Sequence, residues 1–157
     1  MIVGMRTLAL VAISVCATYG CSCGEPTVEI AKDDAEIIFR GTITAFRPAD
    51  KPSELGRMVQ DTKRMAVFQV TRVWKGEVGQ TFEMPAVEET TMCWGFWPPF
   101  LKVGTDLLVY ARRFNGGTQF VTSICNRTQL AQNSKDFNEL GPGQEPKRAR
   151  SVGLVSK

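Results

Sequence analysis

The chain carries five cysteines and no histidine. Without imidazole, the commonest general base and the commonest neutral metal ligand are missing, and neither a Ser-His-Asp nor a Cys-His arrangement can be built. Acidic doublets stand at Asp33-Asp34 and Glu88-Glu89. Sequence neighbours do not face each other on a strand or on a helix, so neither doublet makes an acid-base pair. Gly116-Gly117 falls between two strand-like runs rather than between a strand and a helix, which is not how a phosphate cradle is built. The chain is therefore expected to be no enzyme and to carry no cofactor of its own.

What remains is the chemistry of the cysteines. Arg6 precedes an apolar run from Leu8 to Ala17, with small residues at Thr18 and Gly20, and this reads as an export signal over residues 1–20. The run is too short to span a bilayer, which takes about 18 or more apolar residues. Three readings of the new N-terminus stay open: cleavage after Gly20, cleavage after Ala17, or a lipoprotein signal in which Cys21 is lipidated. Only the last would bring a membrane into play. Otherwise the protein is expected outside the cell, or in the periplasm if the source is bacterial.

Removal of the signal takes Cys16 with it and leaves Cys21, Cys23, Cys93 and Cys125, an even set in an exported chain. Two disulfides are expected. Cys21 and Cys23 are too close to pair with each other without strain, so each should reach either Cys93 or Cys125. A zinc site would want two close ligand pairs, and Cys93 and Cys125 are isolated. Loss of Arg6 from nineteen Lys plus Arg leaves eighteen against sixteen Asp plus Glu, so the mature chain is close to neutral and nucleic acid is not an expected partner.

The elements that must position these cysteines are mostly strands. Thr27 to Asp34 reads as a short helix, and Glu36 to Ala45 as a strand rich in β-branched residues. Arg47 to Thr62 holds Pro48, Pro52 and Gly56 and reads as a loop or an extended hairpin tip. Arg64 to Trp74 and Gln80 to Met84 form a hairpin across Gly79. Asp106 to Arg113 and Gln119 to Ile124 flank Asn115-Gly116-Gly117, the strongest hairpin signal in the chain. Five short strands would leave exposed edges unless the sheet curls on itself, so the expectation is all-β with minor helix, closed into a five-stranded barrel, with an open sandwich as the alternative. One domain over residues 21–140 and a flexible basic tail over 141–157 complete the organisation, with Lys147, Arg148 and Arg150 solvated.

Two further stretches stand out. Trp94-Gly-Phe-Trp-Pro-Pro-Phe100 follows Cys93 directly and reads either as a plug over a barrel end or as an exposed contact surface. Asn126-Arg127-Thr128 fits the glycosylation pattern, and also reads as an ordinary turn after a strand.

Taken in order, Cys21-Ser22-Cys23, Ala35-Glu-Ile-Ile-Phe-Arg40, Val70-Thr-Arg-Val-Trp-Lys-Gly76, Leu107-Leu-Val-Tyr-Ala111, the Asn-Gly hairpin and Ile124-Cys125 carry a family pattern. Over roughly residues 21 to 130 the chain resembles the N-terminal, netrin-like domain of the tissue inhibitors of metalloproteinases. The resemblance implies a five-stranded barrel of oligonucleotide/oligosaccharide-binding (OB) topology, and disulfides from Cys21 to Cys93 and from Cys23 to Cys125. It also implies an inhibitory wedge of Cys21, Ser22, Cys23 and Gly24 with Thr90, Thr91 and Met92. The α-amine and carbonyl oxygen of Cys21 would bind the catalytic zinc of a target metalloendopeptidase, the zinc coming from the target. The chain departs from the family in lacking a cysteine near Asp33, in an extra residue, Glu25, before Pro26, and in having no second six-cysteine domain. The other function open to such a chain is a non-inhibitory netrin-like binding or adaptor module.

Overall fold

A computed structural model of the chain describes residues 22–50, 64–88 and 93–148. Within them the chain runs through helix α1 (Val28–Asp34), strands β1 (Ile37–Pro48), β2 (Arg64–Lys75), β3 (Thr81–Pro85), β4 (Asp106–Arg113), β5 (Phe120–Val121) and β6 (Gln129–Leu130), and helix α2 (Phe137–Leu140). The protein is β-rich with little helix. Helix α1 starts where its cap allows: Thr27 is extended, and its hydroxyl oxygen accepts from the Ile30 amide at 3.2 Å, satisfying one of the orphan donors of the first turn.

The ladders are antiparallel and order the sheet β3-β2-β1-β4-β5, with β6 also beside β4. Strand β1 is the centre. Its register against β2 shifts three times, between Ile38 and Phe39, between Arg40 and Gly41, and between Ile43 and Ala45. Such bulges bend a strand and raise its twist, so the sheet curls around its apolar face. That face carries Phe39, Ile43, Phe68, Val70, Met84, Leu107 and Val109, all buried. Burial of each large side chain contributes about 1.5–3 kcal/mol. On the outer face, Ile38, Leu108 and Tyr110 pack under Ala31 of α1 and Ala35 at its C-terminal end, with Phe137 and Leu140 of α2 alongside. Strand β4 is therefore covered on both sides, which explains its unbroken apolar run.

The sheet is not the closed barrel expected. No backbone ladder joins β3 to β5 among the described residues; the two edges meet through the rings of Phe82 and Phe120, 5.8 Å apart. The cause lies in β5, which spans two residues rather than Gln119 to Ile124. Beyond it the backbone turns to another partner: Thr122 O accepts from Gly95 N at 2.9 Å, and Ile124 N donates to Cys93 O at 3.2 Å. Those groups are no longer free to meet β3.

The expected tail also begins too early. Gln144 exchanges both backbone hydrogen bonds with Val73, at 2.9 and 2.7 Å, and Lys147 N donates to Val78 O at 3.0 Å. Strand β3 pairs only with Met65 to Gln69, so the far end of β2 is open and residues 141–147 take it. Trp74 Nε1 donates to Gly141 O at 2.8 Å, and Lys147 Nζ reaches Glu77 at 2.5 Å. Arg150 lies outside the described residues, as does the segment 51–63 of the expected loop.

Candidate functional site

Cys23 is bonded to Cys125, 102 residues away, with their Cα atoms 5.3 Å apart. This is one of the pairings the spacing left open, and it removes both thiols from any zinc site. Cys93 is disulfide-bonded as well. Cys21, Thr90, Thr91 and Met92 lie outside the described residues. Ser22 and Gly24 are exposed, and a side-chain carbon built at Gly24 would meet nothing within 4 Å.

The segment 93–95 runs antiparallel to 122–124, and one hydroxyl joins the two at the cysteines. Ser123 Oγ donates to Cys93 O at 2.7 Å and accepts from Cys125 N at 3.1 Å. Cys93 itself holds a left-handed backbone, with φ 64°. That conformation is uncommon for a residue with a β-carbon, and it persists here because a disulfide and two backbone contacts over-determine it. Gly95 follows with φ 111°, and a β-carbon there would fall 2.7 Å from Val87 O and 2.8 Å from Glu88 O. Glycine is what lets the chain pass so close to its own backbone.

Behind the ridge formed by Ser22, Cys23 and Gly24 lies a charge network that the sequence did not announce. Arg127 Nη1 donates to Pro26 O at 2.7 Å and to Glu25 Oε1 at 3.1 Å, while its other nitrogens grip Asp136. Tyr110 Oη and Gln129 Nε2 also donate to Asp136 Oδ2, at 2.8 and 3.1 Å. Burial alone would raise the Asp136 carboxyl, but the hydrogen bonds from Arg127 and Tyr110 outweigh it and hold the group below the usual carboxylate range. The same contact holds the Arg127 guanidinium charged. The network fixes Glu25 and Pro26, the residues that carry the chain out of the ridge.

Asn126 is turned inward. Its Nδ2 donates to Tyr110 O at 2.6 Å, and its Oδ1 accepts from Thr128 N at 3.2 Å. The nitrogen that a glycan would need is thus occupied inside the turn.

The aromatic loop divides. Phe96 is buried, with its ring 6.1 Å from that of Phe68, and Phe100 packs on the same core. Trp94 stands edge-on to Phe114, and the Arg112 guanidinium lies 5.0 Å over its ring. Trp97 is 48 % exposed. Among the described residues no three His, Cys, Asp or Glu side chains gather as a metal site would require. No family model matches the chain, and no curated protein matches it.

Proposed function

We propose that this is an exported inhibitor of zinc metalloendopeptidases, with a netrin-like domain that begins at Cys21 once the signal is removed. The observation that carries the reading is the exposed Ser22 to Gly24 segment. It is tied by Cys23 to Cys125, and through Ser123 to the backbone of Cys93. Cys23 and Cys93 are therefore both held to the 123–125 segment. The strand order β3-β2-β1-β4-β5 supports the OB assignment, since it is the order of that barrel opened at the seam between its third and fifth strands.

In this reading the α-amine and carbonyl oxygen of Cys21 bind the target's zinc and displace its water. An α-amine titrates at roughly pH 8 in model peptides, so its lone pair is available at modest cost near neutrality. Ser22 enters the pocket beside the metal. The disulfides and the Arg127 network hold the ridge in advance, which reduces the ordering entropy lost on binding.

The test compares protein beginning at Cys21 with protein carrying one added N-terminal alanine, against a panel of zinc endopeptidases. The added residue substitutes the amine and should abolish inhibition. Equal inhibition by both forms would remove zinc binding through the Cys21 amine, and inhibition by neither would leave the non-inhibitory adaptor reading in its place.

A further inference from the structure

One hollow lies at the Cys23–Cys125 disulfide, and it shares a wall with a second. One, of about 240 Å³, lies against Cys23 and Gly24; the other, of about 250 Å³, lies against Trp97 and Phe100. Ile124 and Thr128 line both. The hollow beside Cys23 and Gly24 therefore adjoins the hollow beside the aromatic loop.

A stable protein complex covers about 800 Å² on each partner, far more than a ridge of three small residues offers. The interface must extend, and the two flanks differ in what they present. On one side the hollow presents the exposed Glu25, already paired with Arg127, whose other partner Asp136 is buried beneath it. On the other side stand Ile124, Phe100 and the half-exposed Trp97. Aromatic side chains are enriched at the centres of binding energy, whereas exposed charges contribute little.

Trp97 is also held in place. Phe96 N donates to Val87 O at 2.8 Å on one side of it, and Phe100 N donates to Trp97 O at 2.8 Å on the other. Pro98 and Pro99 between them have fixed φ angles. A rigid aromatic anchor loses little entropy when it is covered. We propose that Trp97 is a second contact on the same target: it packs on an apolar patch of the endopeptidase beside the cleft that the ridge enters. This rests on the inhibitor reading.

The experiment titrates wild-type protein beginning at Cys21, Trp97→Ala and Trp97→Phe against thermolysin and against the catalytic domain of a matrix metalloproteinase. Against whichever enzyme the wild type inhibits, Trp97→Ala should weaken inhibition roughly thirty-fold, as truncation of a binding hot spot does, and Trp97→Phe should weaken it less. The unfolding transition should not move. In the wild-type complex, tryptophan fluorescence should become shielded from acrylamide, because Trp97 is the exposed indole.

Equal inhibition by wild type and Trp97→Ala overturns the second contact and leaves the ridge intact. A wild type that inhibits neither enzyme overturns the inhibitor reading, and the second contact with it. Should Trp97→Ala fail to fold, unchanged acrylamide quenching in the wild-type complex overturns the proposal by itself. Self-association through Trp97, or adsorption to phosphatidylcholine vesicles, with enzyme binding unaffected by the substitution, overturns it too.

Discussion

Arg127 and Asp136 meet in a two-point contact, Nη2 2.6 Å from Oδ1 and Nε 2.9 Å from Oδ2, and the carboxylate is 1 % exposed. Because Arg127 also holds the Pro26 carbonyl, this one guanidinium links the approach to α2 with the exit from the ridge.

Arg127→Met should therefore do two things. It leaves a buried carboxylate without its cation, at a cost of about 3–5 kcal/mol in urea unfolding. It also frees Glu25 and Pro26, so the amides of Cys23 and Gly24 should exchange faster with solvent. A loss below about 1 kcal/mol would mean that the pair is no better than a surface ion pair.

Stability should fall at both ends of the pH range. The depressed Asp136 carboxyl stabilises the fold above its unfolded value of about 3.9, and that contribution is lost as pH falls through the lower folded value. Burial, and then the hydrogen bond to Asp136, push the Tyr110 phenol far up. The folded phenol stays neutral while the unfolded one ionises near about pH 10, so the unfolded chain binds fewer protons and stability declines above that point. Asp136→Asn should flatten the acid limb of the stability profile, and Tyr110→Phe the alkaline limb. An alkaline limb that survives Tyr110→Phe would assign it to another group.

Replacing both Cys23 and Cys125 by serine should cost about 4 kcal/mol in the chain-entropy picture of a loop this long. Inhibition should fall further than stability alone accounts for, because Ser22 and Gly24 lose their fixed origin. Measured at a temperature where the variant is still folded, undiminished inhibition would show that the ridge needs no such staple.

Two glycines should respond in opposite ways. Gly95→Ala places a carbon against two backbone oxygens at a positive φ, and a loss of about 2 kcal/mol or more is expected in thermal unfolding. Gly24→Ala meets open space and should leave stability within about 0.5 kcal/mol of wild type. If the ridge is the binding surface, Gly24→Ala weakens inhibition all the same.

Where side-chain pattern decides an element, the sequence announced it. Helix α1 follows from Thr27 as a cap, β2 from the alternation of Ala66, Phe68 and Val70, and β4 from its apolar run. The turn at Asn115 and Gly116 takes the positive φ angles, 47° and 71°, that these residues tolerate. Backbone pairing without an apolar stripe leaves no such mark. That is why residues 141–147 read as a tail, and why β5 was expected to be three times its length. At the site, the even cysteine count announced disulfides, and the resemblance rather than the spacing paired Cys23 with Cys125. Arg127 and Asp136 escaped notice because an ion pair across a loop has no period to read.

The bond from Cys23 to Cys125 closes most of the domain into a covalent ring. If the protein works against peptidases, as proposed, it meets them at high local concentration, and some will cut it. One cut anywhere between those two cysteines opens the ring but releases nothing, since both pieces remain joined through sulfur. A nicked molecule would keep its mass under non-reducing conditions and separate into two fragments only after reduction, so damage to the ring need not end its working life.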